Sequence, residues 1–313
     1  MRYGFALAAL AGVVVAVLLA AHLDSAAVLR SLRAVGWWVV AIAAFHLVPL
    51  LLSAAAWQFA LAPAHRRSLG VLLVLRWIRE AVSGLLPVAQ LGGDVVGARL
   101  LAGPAVPATA AAASVVVDLT VELVTLGLFI LLGLVLLTAT SRWAAASGWM
   151  QAGSAALLAG VLVCAAASRP GLLRPIRGLF ERVVRLPSFF DSAFVHDIGR
   201  AARARYADRR AMAAAGVLHL LSWLAAAGEI WLVLRCMGVP IGVREALVIE
   251  SLSHALRSAA FFVPGALGVQ EAGFIEIGAL FGIAPEAALA LALARRMREI
   301  ALGAPALLAW QAL

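Results

Sequence analysis

Apolar residues dominate the chain in long runs, separated by short polar stretches and by two segments whose apolar pattern breaks midway. A helix needs about 20 apolar residues to cross a bilayer. Six runs reach that length, at 4–22, 36–61, 107–138, 147–167, 211–236 and 286–312. The two interrupted segments are 69–103, which holds Arg76, Arg79, Glu80, Pro87, Gly92, Gly93, Asp94 and Arg99, and 241–283, which holds FFVPGALGVQEAGF at 261–274. Non-helical backbone survives at membrane depth only where protein or a wet cavity surrounds it, because each unsatisfied amide in lipid costs several kcal/mol. Pro87 and Pro264 therefore predict two helix–break–helix hairpins that dip into the membrane and return on the side they entered. The bland alternative is a kink in each of two ordinary spans.

Composition agrees with the pattern. Of 313 residues 64% are hydrophobic and 13% charged, with a mean hydropathy of +1.02, whereas soluble domains carry about 25% charged residues. The expected fold is an all-α polytopic membrane protein, one transmembrane domain over 1–313, with about six spans and two re-entrant hairpins. All 25 basic residues are arginine, which together with abundant alanine suggests a GC-rich bacterial genome and hence a bacterial inner membrane. The apolar run at 5–21 is long for a cleaved signal, so the N-terminal segment reads as a retained first span.

Arginine placement sets the orientation. The connection 168–210 carries ten arginines against four acids, which marks it as cytoplasmic. Arg66, Arg67 and the N-terminus then fall on the same side, and Arg30, Arg33 and Arg142 outside. Within this connection Ile176, Leu179, Phe180 and Val183 recur at helical spacing opposite the arginines, as in a helix lying on an anionic leaflet; a solvated linker is the plainer reading. The net charge of +9 follows from the same bias and does not call for nucleic acid.

Several chemistries are disfavoured. Cys164 and Cys236 both lie in apolar runs and the six histidines show no metal-like spacing, so neither a disulfide, a metal nor another cofactor is expected. No P-loop, nucleophile elbow or HExxH motif is present, which argues against ATP hydrolysis. His219, Trp57, Trp223 and Trp231 read as packing or interface residues, whereas Glu229, set in LAAAGEIWLVL, reads as functional.

The two broken segments repeat one another. Asp94 follows Pro87 by seven residues and Glu271 follows Pro264 by seven; Asp118 and Glu122 stand 31 and 35 residues after Pro87, as Arg295 and Glu299 do after Pro264. The glycines match less closely. Three spans separate the segments, and an odd number inverts the second, giving units at about 69–140 and 241–313 of opposite topology, an arrangement that places transporter sites near the midplane. Asp118 and Glu122 share a helix face, as do Arg295 and Glu299. An ionisable group at mid-bilayer costs at least about 2.5 kcal/mol, so these residues predict cross-unit ion pairs or a hydrated cavity between the units. A purely structural network is the competing account.

The runs LLPVAQLGGDVVGARLL (85–101) and FVPGALGVQEAGF (262–274) resemble the motifs of the lysylphosphatidylglycerol synthetase transmembrane, or flippase-like, family. The likeness covers nearly the whole chain, through Pro87, Gly92, Gly93, Asp94 and Arg99 in one motif and Pro264, Gly265, Gly268 and Glu271 in the other. Aspartate stands at position 94 where glutamate is usual. Together with SVVVDLTVELVT (114–125) the match is most similar to membrane proteins associated with hopanoid biosynthesis, which implies transport or placement of hopanoids and partners among hopanoid-biosynthesis or export proteins. The family's synthetases carry a soluble aminoacyl-transferase domain that is not expected here.

These readings give an expected lipid flippase, with a headgroup of a hopanoid or phospholipid held between the units. Half-helix N-termini at Gly92–Gly93 and Gly265–Gly268 would supply backbone donors. Asp94, Arg99, Asp118, Glu122, Glu271, Arg295 and Glu299 would line or gate the cavity. Two other classes remain open: an intramembrane lipid-modifying enzyme with Asp94 or Glu271 as general base, and a non-transporting scaffold for lipid-synthesis enzymes.

Overall fold

The computed structural model describes residues 23–86, 92–139, 192–260, 263 and 266–312. The runs 4–22 and 147–167, most of the basic connection, and Pro87, Pro264 and Gly265 lie outside the described residues. Among the described residues there are ten α-helices: α1 Ser25–Val35, α2 Trp38–Ala60, α3 Leu69–Leu85, α4 Gly92–Leu101, α5 Ala108–Thr138, α6 Ser192–Tyr206, α7 Arg209–Cys236, α8 Val243–Ala259, α9 Val269–Ala279 and α10 Pro285–Gln311. Three of them, α2, α5 and α7, are long and apolar enough to cross a membrane. The 27-residue α10 has the length, but Arg295, Arg296, Arg298 and Glu299 charge its middle.

Two pairs of helix starts share one offset. Gly92 and Val269, which open α4 and α9, stand 177 residues apart, as do Ala108 and Pro285, which open α5 and α10. The first arms, α3 and α8, are each 17 residues long. Packing follows the same correspondence: α3 lies on α4 as α8 lies on α9, α4 on α5 as α9 on α10, and the halves cross through α3 against α10 and α5 against α8. At the centre α2 packs along α7; at the flanks α1 lies on α10 and α6 on α5.

The helix pairs α3–α4 and α8–α9 begin at opposite ends of the bundle. Leu72 and Leu75 near the start of α3 share a buried cluster with Leu101 at the end of α4, Ala60 at the end of α2 and Ala111 at the start of α5. Ala246 and Ile249 near the start of α8 share another with Ile277 near the end of α9, Leu137 at the end of α5 and Val233 and Leu234 at the end of α7. Burial of such aliphatic side chains stabilises a water-soluble fold, but between helices in lipid close packing of small residues takes over that role. The crossings show it. A Cβ at Gly133 of α5 would overlap Ser251 of α8, and one at Gly303 of α10 would overlap Leu85 of α3.

Local chemistry fixes the ends. Ser68 and Asp208 cap α3 and α7, their side-chain oxygens accepting from the Val71 and Ala211 amides. Arg205 of α6 donates two bonds, of 2.9 and 2.8 Å, to the Phe59 carbonyl, satisfying a C-terminal carbonyl of α2 with a positive charge. Residues 192–206 of the basic connection thus dock on the protein through Arg205, Ile198 and Ala202. Ile176, Leu179, Phe180 and Val183, expected on the leaflet, lie outside the described residues.

Candidate functional site: a charged cavity between the halves

A cavity of about 520 Å³ lies between the two halves, lined from α2, α3, α4, α5, α7, α8 and α10. Its size falls within the range of small-ligand sites, roughly 300–1,000 Å³. Five arginines and six carboxylates face it, and each half arranges its own charges.

In the first half Arg76 and Arg79, one helical turn apart on α3, hold the acids of α5. Arg76 engages Glu122 bidentately, with Nη1 3.0 Å from Oε2, and reaches Asp118 Oδ2 at 3.3 Å. Arg79 gives Nη1 to Asp118 Oδ2 at 2.9 Å and Nε to Asp94 Oδ1 at 3.1 Å, with its guanidinium 4.5 Å above the Trp57 ring. His219 of α7 completes Asp118 through Nε2, 3.0 Å from Oδ1. Cation–π contact and bidentate pairing both suit arginine better than lysine.

The glycine motif makes this arrangement possible. A Cβ at Gly93 would overlap the Arg79 carbonyl, and one at Gly97 would overlap the Arg79 side chain. The Gly93 amide already donates to Ser83 Oγ at 3.2 Å. Gly93, expected as a backbone donor to a ligand, instead lets α4 lie against α3 so that Asp94 reaches Arg79.

In the second half the signs are exchanged. The acid Glu250 sits on the hairpin arm α8 and the arginine on the long helix: Arg295 pairs with both Glu250 oxygens, Nη2 lying 3.1 Å from Oε1. His254 Nε2 approaches the same Oε1 at 3.1 Å, and Trp223 meets the His254 ring edge-on at 4.8 Å. Arg296 bonds Glu299 at 3.0 Å and Glu271 at 3.3 Å. The expected ion pairs between Asp118 or Glu122 and Arg295 do not form, because each residue is satisfied within its own half. A cavity lies between them, with Glu122, Arg295 and Glu299 all on its wall.

A third group joins the halves. His46 of α2 lies with Nε2 2.7 Å from Glu80 Oε1 of α3 and Nδ1 2.9 Å from Glu229 Oε2 of α7. Arg298 of α10 contacts the same Nδ1 and stands 3.2 Å from Glu229 Oε1 through Nε. Glu229 is therefore part of the constellation, as its place in an apolar run suggested, and His219 is bonded to an acid rather than merely packed.

The other expected site residues divide. Asp94 lines the cavity; Asp118 lies behind the wall, held by Arg76, Arg79 and His219. Glu271 is buried at the start of α9 against Arg296, outside the cavity lining, and Gly268, which precedes it, adopts φ 75°, a left-handed conformation that favours glycine. Gly92 opens α4, and Arg99 is exposed in its last turn, away from the cavity. Pro87, Pro264 and Gly265 lie outside the described residues. Sequence reasoning passed over His46, Glu250, His254 and Arg298 as site residues, and left Arg76, Arg79 and Glu80 without partners. Asp118, Glu122 and His219 also converge closely enough to face one cation, but Arg76 and Arg79 already hold both Glu122 oxygens and Asp118 Oδ2, and His219 itself holds Asp118 Oδ1.

A match to the family described as the lysylphosphatidylglycerol synthase TM region covers residues 4–305. The chain belongs to this family. It is a membrane protein by that membership and by its long apolar helices. No curated protein and no solved structure matches it. Gly93 and Asp94, which stand in one of the two motifs that carry the family resemblance, have a physical role in this member: together they seat a buried arginine.

Proposed function

We propose that the chain is a lipid transporter of flippase type in a bacterial inner membrane, which takes a polar headgroup into the cavity between two inverted units while the apolar tail stays in the bilayer. The carrying observation is the cavity itself. Charged groups from both halves form its wall, yet Leu119, Leu123 and Leu126, on one face of α5, line it too, and Leu123 is also exposed on the bundle's surface. A site with a charged floor and an apolar side wall suits an amphiphile whose two parts need different solvents.

In this reading α3–α4 and α8–α9 are re-entrant hairpins, opening to the cytoplasm and to the outer side respectively. Arg205 binds beside Arg66 and Arg67, at the C-terminal end of α2, so the basic clusters share one end and support a cytoplasmic N-terminus. The facing arginines and carboxylates offer counter-charges to a headgroup that carries both phosphate and amine. Hopanoids, the cargo implied by sequence resemblance, present mainly hydroxyls; these could exchange hydrogen bonds with the same ion pairs. Partners among hopanoid-biosynthesis proteins are part of that narrower reading.

The catalytic alternative is less well supported. Asp94 is held by Arg79 and Glu271 by Arg296, so each carboxylate already has a charged partner that a substrate would have to displace before a proton could be taken. The deciding experiment reconstitutes the protein in liposomes and follows sidedness of a labelled phospholipid and of a hopanoid. Movement of either without chemical change supports transport and names the cargo. A changed lipid supports the enzyme, and no effect on either supports the scaffold.

A further inference from the structure

His46 links the charged groups of the two halves, and its contacts are mutually exclusive in one protonation state. Nε2 meets the Glu80 carboxylate, so it must carry a proton and donate. Nδ1 meets two groups of opposite demand: Glu229 Oε2, which can only accept while ionised, and the Arg298 guanidinium, which can only donate. A neutral ring accepts from Arg298 at Nδ1 and leaves Glu229 without the histidine bond. An imidazolium donates to Glu229 and expels the arginine.

Both arrangements have partners waiting. Arg298 Nε is 3.2 Å from Glu229 Oε1 but unaligned for a hydrogen bond, and both atoms are buried without another partner. Arg298 Nη2 also lies 3.8 Å from Glu299 Oε1, so a displaced guanidinium has acids to turn to. The charged groups that face His46 are Glu80 from α3, Glu229 from α7 and Arg298 from α10. From α5, the other helix packed on α2, Asp118 and Glu122 are already engaged by Arg76 and Arg79. Glu80 has a side chain 46% exposed and lines the cavity, which gives a proton a route between cavity water and the ring.

We propose that His46 is the proton-binding site through which this protein couples lipid movement to the proton gradient. The proposal rests on the transporter reading. A proton taken up at Nδ1 from one side shifts Arg298 from the ring toward Glu229 and Glu299, which changes the contact joining α2 and α3 to α7 and α10. The proton leaves to water on the other side once the cavity faces it, so none is consumed.

The test uses full-length protein in liposomes loaded with a pH-sensitive dye, with a labelled phospholipid and a hopanoid as probes. With one proton per lipid, a gradient of one pH unit should bias the distribution of the carried lipid between leaflets by up to about tenfold. Lipid movement should also acidify or alkalinise the lumen. In His46→Gln both responses should vanish, whatever the absolute rate. Wild-type movement indifferent to the gradient, or a gradient response retained in His46→Gln, overturns the coupling and leaves the transporter standing. A wild type that moves no lipid removes both. Should His46→Gln fail to fold, nitrogen NMR of histidine-labelled wild type decides. Nδ1 should pass from an accepting to a protonated nitrogen over a titration from about pH 11 to about pH 5, a range that brackets the ordinary histidine titration with room on its alkaline side. In Arg298→Gln, which loses a donor and a positive charge, that change should move to higher pH. A single unchanging state in wild type refutes the proposal.

Discussion

Arg295 stands in the second half where Asp118 stands in the first, and each takes its counter-ion from the hairpin of its own half, Asp118 from Arg79 and Arg295 from Glu250. The charge has changed sides while the geometry has stayed. These two ion pairs are thereby complete within their own halves, whereas Arg298 takes its partners, Glu229 and His46, from α7 and α2.

Breaking one partner of such a pair should be costly. Glu250 is fully buried, and Arg295→Ala leaves it with the His254 ring as its partner and no guanidinium, a loss expected to approach about 3–5 kcal/mol. The double variant Arg295→Ala/Glu250→Ala should recover much of that loss. Unfolding midpoints of the two single variants and the double variant in one detergent measure the coupling, and a double variant as unstable as the sum of the singles would argue against the pair.

Gly93 should tolerate no side chain. In Gly93→Val the new atoms meet the Arg79 carbonyl and Ser83 Oγ, so α4 must lift off α3 and Asp94 must leave Arg79, with an overpacking cost of about 1–3 kcal/mol before the ion pair is counted. Gly70, also helical but with open space where its Cβ would stand, provides the control, since Gly70→Ala should be neutral or stabilising by a few tenths to about 1 kcal/mol. Equal melting shifts for the two variants would contradict the packing role.

Much of this was legible in the chain. The 177-residue offset joining Pro87 to Pro264 and Asp94 to Glu271 reappears as the offset between helix starts, because a repeat that keeps its break also keeps the register of the helices after the break. The partners were not legible. Whether Asp118 meets Arg79 or Arg295 depends on which faces of α3 and α10 turn toward α5, and the spacing of charges along one helix does not specify that rotation. His46 is a lone histidine in WVVAIAAFHLVPLLL, a pattern equally compatible with simple packing; its meaning lies in Glu80, Glu229 and Arg298, which reach it from three other helices. Glu250 went unread for a different reason: α8 is short and mixed in polarity, so a charge there did not look buried.

Arg205 should hold α6 on the bundle. Two of its bonds go to the Phe59 carbonyl and a third to Asp208 at the start of α7, so Arg205→Ala should free a helix that otherwise packs through Ile198 and Ala202. Charge-assisted hydrogen bonds contribute about 1.5–3 kcal/mol, enough to raise the open population more than tenfold. Limited trypsin digestion, which has Arg200, Arg203, Arg209 and Arg210 as cleavage sites, should cut the variant faster in this region, and an unchanged cleavage rate would show that apolar packing alone docks the helix.

The opposed hairpins give the topology its sharpest test. Ala105, in the connection after α4, and Ala284, in the connection after α9, are both exposed and occupy nearly corresponding places in the two halves. If the halves are inverted in the membrane, a cysteine at each, in a background with Cys164 and Cys236 replaced by serine, must react with an impermeant maleimide from opposite sides. The basic end predicts which side is which: Leu101 and Val106, flanking Ala105, share their cluster with Leu61, close to Arg66 and Arg67, so Ala105→Cys should label from the cytoplasmic face and Ala284→Cys from the outer face. Labelling of both from one side would leave the matching helix offsets intact but remove the membrane inversion, and with it the alternating access that the proposed lipid transport requires.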